Sequence, residues 1–197
     1  DGLALDRSAT EVFYLEDGDW GVIEQHSMQL FDANGRSVKR PGRKPARTAS
    51  AVSKQGYKHF MLKEIHEQPA AIRQTLSFSS SADLARQLAK LSRLTIIACG
   101  TSAYAAQVAK YWFEQIARLP VDIDIASEFR YRDAVMPDQG AALFISQSGE
   151  TADTLAALRY AREHKQFTIA LVNVPDSTIA READCVLQTI AGPEIGV

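Results

Sequence analysis

The chain has 197 residues, a formal net charge of −2, 46% hydrophobic residues and 23% charged residues. This length fits one domain, or one domain with a piece of another, and the composition is that of an ordinary globular protein. The near-neutral charge gives no argument for nucleic-acid binding, and no apolar run approaches the roughly 20 residues that cross a bilayer.

The first residues and the cysteines suggest where the protein works. The segment Asp1–Asp6 contains no basic residue and no initiator Met, so we expect no signal peptide and a start inside a longer protein. Cys99 and Cys185 are too few for a disulfide framework and lack the spacing of metal ligands. A reducing cytoplasm is therefore the expected location.

Residues 11–40 have the pattern of a small antiparallel β meander. Asp17-Gly18 and Asn34-Gly35 are strong hairpin signals. The predicted strands around them are Val12–Glu16, Trp20–Gln25, Ser27–Phe31 and Ser37–Lys39. A meander this small needs something to pack on, because it cannot bury a core of its own.

Residues 33–63 contain nine basic residues and no acidic one. Pro41, Gly42 and Pro45 interrupt regular structure there. Both a nucleic-acid-binding arm and a solvated interdomain linker fit such a run. We favour a linker over residues 41–59, because the run continues into a globular pattern.

From residue 60 the pattern turns helical and then alternates between strand and helix. The predicted helices are Ala70–Leu76, Ala82–Leu91 (capped by Ser81 or Asp83), Ser102–Leu119, Ala152–His164 and Ser177–Glu182. The predicted strands are Leu94–Ala98, Val121–Ile125, Ala142–Ile145, Phe167–Val172 and Cys185–Ile190. The alternation predicts an α/β fold, with a mostly parallel sheet and helices on both faces.

Apolar spacing also predicts which helix faces are buried. Two sets of residues recur at three- and four-residue intervals: Tyr104, Val108, Trp112, Ile116 and Leu119 in one helix, and Leu155, Leu158 and Ala161 in another. We expect both sets, and Trp20 as well, to lie in the core.

Two hydroxyl-rich turns, Ala98–Ser102 and Ser146–Thr151, carry the chemistry of the chain. Each follows a predicted strand and precedes a predicted helix, whose N-terminal N–H groups and dipole attract an anion. A simple helix cap would explain one hydroxyl, but Ser146, Gln147, Ser148 and Thr151 put four side-chain donors in six residues. Because the carboxyl ends of parallel strands share one edge, the two turns can converge on one phosphate.

Other reactive side chains have plainer explanations. Cys99 could be a nucleophile at a helix N-terminus, but a small buried residue is favoured there, and Cys185 is expected in the core. The four histidines, His26, His59, His66 and His164, show no ligand spacing. Glu150 and Glu194 are the carboxylates best placed to act as a base, although a first-turn acid also complements the helix dipole.

Several stretches resemble the glucosamine-6-phosphate synthases, a family also called glutamine–fructose-6-phosphate aminotransferases (isomerizing). Those similar to its first sugar isomerase (SIS) domain are Ala98–Ser102, Tyr111–Glu114, Ala126–Tyr131, Ser146–Leu155 and Gly192–Val197. Gly56–Pro69 is similar to the interdomain signature of the family, and residues 1–40 to the last strands of its glutaminase domain. The resemblance covers nearly the whole chain.

This resemblance implies both a domain organisation and a reaction. Residues 1–40 would end the glutaminase domain, 41–59 would form the linker, and 60–197 would hold N-terminal helices and a truncated first SIS domain. Ammonia from glutamine would convert fructose 6-phosphate to glucosamine 6-phosphate, with no metal or organic cofactor. A homodimer is expected, and neither a nucleic acid nor a membrane is an expected partner.

The resemblance also implies the site residues. By motif matching, Ser102, Ser146, Gln147, Ser148 and Thr151 would hold the sugar phosphate, with Thr101 near the sugar and Val197 as a further sugar contact. No catalytic residue is assigned, because the glutaminase nucleophile and the second SIS domain of the family match nothing here. We therefore expect the chain to bind the sugar phosphate without making product alone.

Two other classes of protein share the hydroxyl-rich turns. One is a stand-alone SIS module that senses a sugar phosphate, and the other is a phosphosugar isomerase. Neither needs a glutaminase-like tail or the Lys63–Pro69 segment, so a fragment of the aminotransferase is favoured.

Overall fold

The structure, a computed structural model, describes residues 10–43, 53–77, 85–86, 88–138 and 140–196. The chain forms two compact units, Asp1–Lys63 with Ile195–Val197 and Glu64–Glu194. In the described ranges, no helix is long and apolar enough to cross a membrane.

The first unit is built from short antiparallel strands. They are β1 (Val12–Phe13), β2 (Trp20–Ile23), β3 (Met28–Phe31), β4 (Ser37–Val38) and β5 (Gly42–Arg43). Strands β2, β3 and β4 form one antiparallel sheet in that order, and β1 pairs with β5. The predicted antiparallel character of this region is therefore confirmed.

The turn at Asp17-Gly18 does not join paired strands, so the first predicted hairpin is wrong. Strand β1 pairs with β5 rather than with β2. The Asp19 carboxylate explains the departure: it accepts hydrogen bonds from the Glu16 N–H and from the Arg40 guanidinium, at 2.9 and 2.8 Å. The bond from Arg40 also holds the pKa of Asp19 below its usual value.

The second predicted hairpin is confirmed. Strands β3 and β4 flank Asn34-Gly35, and Gly35 has a φ of +74°, which glycine adopts without strain. The Asp32 carboxylate closes the turn by accepting hydrogen bonds from the N–H groups of Asn34 and Arg36, at 2.8 and 2.9 Å.

Helix α1 (Phe60–Ser77) runs through Pro69 and begins ten residues before the predicted helix Ala70–Leu76. Proline removes one N–H donor and crowds the preceding turn, which usually ends or kinks a helix. Here the 18-residue helix continues on both sides of it. Residues 85, 86 and 88 are helical too, but the predicted caps Ser81 and Asp83 lie outside the described residues.

The second unit has the predicted parallel sheet. Its strands are β6 (Leu94–Ala98), β7 (Val121–Ile125), β8 (Ala141–Ser146), β9 (Phe167–Val172) and β10 (Cys185–Gln188). Over the described residues these five strands lie in the order β10-β9-β8-β6-β7, and every neighbouring pair is parallel. The α/β fold class is confirmed.

Helices connect these strands. They are α2 (Gly100–Trp112), which continues as a π-helical turn over Phe113–Ala117, α3 (Ala126–Phe129), α4 (Ala152–Glu163) and α5 (Thr178–Glu182). The sequence missed α3, because four residues are too few to show helical periodicity. Arg118 ends the π-helical turn with a left-handed φ of +54°.

Two apolar clusters, one on each face of the sheet, form the core. Neighbouring residues of β6 divide between them: Ile96 belongs to one cluster and Ile97 to the other. Helix α2 contributes Ala106 to the first of these faces, and α4 contributes Leu158 to the second. Helices therefore cover both faces, as predicted.

The apolar face of α2, which the sequence predicted to be buried, is largely exposed. Tyr104, Val108 and Trp112 are 67%, 51% and 61% exposed, whereas Ala103 and Ala106 lie against the sheet. The small alanine side chains allow the helix to pack closely, which leaves the large residues outside. Trp20 is also half exposed and stacks on Phe31, so neither tryptophan lies in the core.

Candidate functional site

The strand order reverses between β6 and β8. The chain passes from β6 to β7 on one side of β6 and then to β8 on the other side. Ala98, the last residue of β6, is paired with Ile145, so the two strands lie about 4.8 Å apart and end within one residue of each other. In an open parallel sheet such a reversal leaves a crevice outside the carboxyl ends of the strands, where ligands bind.

The turn after β6 opens directly into α2. Cys99 is extended, and Gly100 begins the helix with a positive φ of +56°. Thr101 is exposed and Ser102 is partly buried in the first turn. The structure thus places both of these predicted ligands at the N-terminus of a 13-residue helix, beside the crevice.

The loop after β8 is folded around its own hydroxyl groups. Ser146 is buried, and its Oγ accepts a hydrogen bond from the Gly149 N–H at 3.1 Å and lies 3.0 Å from the Thr151 Oγ1. Ser148 is exposed, and its Oγ accepts a hydrogen bond from the Glu150 N–H at 3.2 Å. Since an acceptor hydroxyl keeps its own proton to donate, Ser148 can still bind an anion.

Gly149 is the tightest point of this loop. Its φ is +66°, and a Cβ built on it would lie 1.9 Å from the Ser177 Oγ. Its carbonyl accepts a hydrogen bond from the Ile179 N–H at 3.0 Å, which ties the loop to α5. Only glycine fits this position, so the loop has one well-defined backbone conformation.

Glu150 is not placed as a base for a ligand in the crevice. Its Oε1 accepts a hydrogen bond from the Thr178 N–H at 2.8 Å, at the start of α5. The carboxylate therefore binds a helix N-terminus, as expected for an acid that complements a helix dipole. The helix that it binds is α5, however, and not α4. Glu194 is exposed, and nothing in the structure gives it a catalytic role.

The donors that the crevice offers to an anion are backbone groups and hydroxyls rather than cations. Within the described residues, neither Cys99 nor Thr151 caps the following helix with its side chain. The first-turn N–H groups of α2 and α4 thus remain available as hydrogen-bond donors at the positive ends of two helix dipoles. Neither turn contains Lys or Arg, so binding would rest on neutral donors.

A groove elsewhere on the described surface is not suited to phosphate. It has a volume of about 450 Å³ and is lined by Arg130, Arg159 and Tyr160, among others. Arg130 is paired with Asp153 at 2.7 Å, and Arg159 binds Glu182 with two hydrogen bonds. With both guanidinium groups already bound to carboxylates, the groove offers no free charge to an anion.

One residue that the sequence did not single out, Asn173, lies beside the crevice. It follows β9 and is buried, and its N–H donates to the carbonyl of Gln147 at 3.1 Å. Its side chain holds residues 189–192, accepting from the Ala191 N–H at 2.9 Å and donating to the Gly192 carbonyl at 2.6 Å. An isolated Asn at a strand end gives no sequence signal for such a network.

The remaining predicted residues are placed as follows. Gln147 is exposed in the loop after β8, and Val197 lies outside the described residues. Cys99 packs against the core on the α4 face, and burial raises the pKa of the Cys185 thiol, so neither has the features of an activated nucleophile. Among the described residues, no group of three or more His, Cys, Asp and Glu side chains could hold a metal.

Residues 87–197, more than half of the chain, match the SIS domain family. The chain belongs to this family. Its crevice at the β6–β8 reversal is thus the corresponding edge of an SIS domain, and the SIS-type fold predicted from the sequence is confirmed.

Relatives with known names match the chain outside the SIS domain as well. The glutamine–fructose-6-phosphate aminotransferases (isomerizing) of Bradyrhizobium diazoefficiens and Zymomonas mobilis are 52% and 49% identical to it over its whole length. The chain spans about a third (34%) of the length of these relatives. The resemblance to this family is therefore confirmed, for a segment of it.

Solved structures agree with this assignment. The C-terminal domain of glucosamine-fructose-6-phosphate aminotransferase from Francisella tularensis superposes with a TM-score of 0.69 at 48% identity, covering 74% of this chain and 43% of that one. A protein from Silicibacter pomeroyi DSS-3, described as a candidate phosphosugar isomerase, superposes with a TM-score of 0.60 at 30% identity. The match covers 68% of this chain and 43% of that one.

Replacing the glycine at the tight point of the SIS loop tests how rigidly the loop is held. Gly149→Ala should lower the free energy of unfolding by about 2–5 kcal/mol, because it adds both left-handed backbone strain and a clash with buried Ser177. Urea denaturation measures the change.

Gly192→Ala is the matched control for this variant. Gly192 has a φ of +74°, but nothing lies within 4 Å of the Cβ position, so only the backbone strain of about 1–2 kcal/mol applies. Equal losses of stability in the two variants would show that the contact with Ser177 does not constrain the loop.

Proposed function

We propose that this chain is the sugar-phosphate-binding part of an enzyme that makes glucosamine 6-phosphate and glutamate from fructose 6-phosphate and glutamine. Its task is to bind the phosphate of fructose 6-phosphate, or of the product, in the crevice between β6 and β8. The phosphate ligands would be Ser102, Ser146, Gln147, Ser148 and Thr151, with Thr101 near the sugar and Val197 as a further sugar contact. Glutamine would be handled by a glutaminase domain that precedes the segment.

One observation carries this proposal. The two hydroxyl-rich turns follow adjacent parallel strands at the reversal of strand order, and each leads into a helix of 12 or 13 residues. Two helix N-termini and the neutral donors of both turns therefore lie at the same edge of the sheet, which supports a dianionic phosphoryl group as their ligand.

The first unit favours the aminotransferase over the two alternative functions. A stand-alone SIS sensor or a phosphosugar isomerase gives no reason for the antiparallel strands of the first unit or for the Gly56–Pro69 segment that follows them. The identity of 52% to the Bradyrhizobium aminotransferase extends over these residues as well. Domain limits at residues 40 and 59, and a cytoplasmic location, remain predictions.

Removing one hydroxyl tests the phosphate site. Ser148→Ala should weaken binding of fructose 6-phosphate by about 1–3 kcal/mol, because a hydrogen bond to a charged group is lost. Isothermal titration calorimetry measures the affinity.

Ser92→Ala provides a matched control for this titration. Ser92 is an exposed serine before β6, at the opposite edge of the sheet, where its hydroxyl donates to the Asp138 carbonyl. Its replacement should leave the affinity unchanged. An unchanged affinity in Ser148→Ala would remove Ser148 from the set of phosphate ligands.

Catalysis should be absent from the isolated chain. The resemblance assigns no catalytic group to these 197 residues, and Glu150 is bound to the Thr178 N–H. We expect no glucosamine 6-phosphate when the chain is incubated with fructose 6-phosphate and glutamine, as measured by chromatography of the products. Turnover above a blank without protein would contradict the proposal that this chain binds the sugar phosphate without catalysing the reaction.

A homodimer is part of this proposal, with the exposed apolar face of α2 as its support. Five large residues, each more than half exposed, lie on α2 and the π-helical turn that continues it: Tyr104, Val108, Tyr111, Trp112 and Ile116. Apolar patches of this kind mark surfaces that associate with another protein, here a second copy. Sedimentation equilibrium checks the stoichiometry, and a chain that stays monomeric at every concentration would contradict it.

A further inference from the structure

Residues 189–192, which follow β10, cross the carboxyl end of the neighbouring strand β9. The Thr189 N–H donates to the Val172 carbonyl at 2.9 Å, which continues the parallel pairing of β10 with β9, and the next residues bond to the side chain of Asn173, the first residue after β9. Because β9 is also paired with β8, the segment flanks the loop of the candidate phosphate site. It therefore lies where the sugar end of a bound sugar phosphate could reach it.

The side chain of Asn173 is the main anchor of this segment. Its Oδ1 accepts hydrogen bonds from the Ala191 N–H at 2.9 Å and the Thr189 hydroxyl at 3.2 Å, and its Nδ2 donates to the Gly192 carbonyl at 2.6 Å. These bonds use both the donor and the acceptor side of the amide, so a residue without a side-chain amide cannot make all of them. A further anchor is the Thr75 hydroxyl, which accepts from the Ile190 N–H.

The backbone of Asn173 faces the other way, toward the phosphate loop. Its N–H donates to the Gln147 carbonyl at 3.1 Å. One buried residue thus fixes the distance between two parts of the crevice: the loop expected to hold the phosphate and the segment beside it.

We propose that Asn173 is a positioning residue for the sugar end of the ligand. Its amide holds residues 189–192 at the spacing from the loop after β8 that a sugar phosphate requires. The held segment offers backbone carbonyl oxygens, which accept hydrogen bonds from sugar hydroxyls. This inference rests on the proposed phosphate site and adds to it the residue that sets how the sugar is held.

The test compares two probes, fructose 6-phosphate and inorganic phosphate, on the full chain. Asn173→Ala removes the side-chain anchor but keeps the backbone bond to Gln147, so only the sugar end should suffer. We expect the dissociation constant of fructose 6-phosphate to rise about tenfold while that of inorganic phosphate changes less than about twofold. A variant that only lost stability would weaken the binding of both ligands by the same factor.

Thr168→Val is the matched control. Thr168 is fully buried in the same strand, about 17 Å from Asn173, and its hydroxyl exchanges two hydrogen bonds with Asp184. The variant therefore loses a comparable buried network at the opposite edge of the sheet. It should leave the affinities for both probes unchanged.

Asn173→Asp keeps the inference testable if the alanine variant does not fold. The carboxylate retains the two acceptor bonds but cannot donate to the Gly192 carbonyl until it is protonated. The affinity for fructose 6-phosphate, taken relative to the parent chain at each pH, should therefore be reduced at pH 8 and recover as the pH is lowered.

The outcomes separate the two levels of the proposal. If the parent chain binds neither probe, the proposed phosphate site itself is wrong, and the inference falls with it. If the parent chain binds both probes but Asn173→Ala leaves fructose 6-phosphate unaffected, or weakens both probes equally, the phosphate site stands and the positioning role is overturned.

Discussion

The reversal of strand order between β6 and β8 determines what the rest of this chain can do. Parallel pairing of Ala98 with Ile145 ends the two strands within one residue of each other, and the helices that follow leave toward opposite faces of the sheet. Their N-termini stay together at the crevice, where unpaired N–H groups and the helix dipoles favour an anion. An antiparallel arrangement of the same segments would have separated the two turns.

The second constraint is the fixed shape of the loop after β8. Gly149 has a left-handed backbone in contact with Ser177, and the Ser146 hydroxyl accepts from the Gly149 N–H. Glu150, the one acidic residue of the loop, is held by the Thr178 N–H. A loop whose shape is set before a ligand arrives loses little conformational entropy on binding. Part of the hydroxyl chemistry that marks this motif in the sequence therefore builds the loop itself, and only the remaining donors are available to the proposed ligand.

Much of this architecture could be predicted from the sequence, for a physical reason. Parallel strands are buried on both faces, so segments such as Leu94–Ala98 appear as continuous apolar runs between helical patterns. The hydroxyl-rich turns stand out because four donors fall in six residues. The order of elements then places both turns at the carboxyl edge of the sheet.

The features that the sequence could not predict depend on distant partners. The pairing of β1 with β5 joins residues about 30 positions apart, which no local turn signal reveals. Apolar spacing on α2 shows that Tyr104 and Trp112 share a face, but not whether this chain covers it. Asn173 acts through bonds to residues 147 and 189–192, which become neighbours only in the folded sheet.

The central claim is that the turns after β6 and β8 together bind a sugar phosphate. Titration of the ¹⁵N-labelled chain with fructose 6-phosphate, followed by the backbone amide resonances, tests it most directly. The account predicts that the largest shift changes fall on residues 101–102 and 147–152. Changes confined to the groove around Arg159 and Tyr160, or no change at saturating ligand, would contradict it.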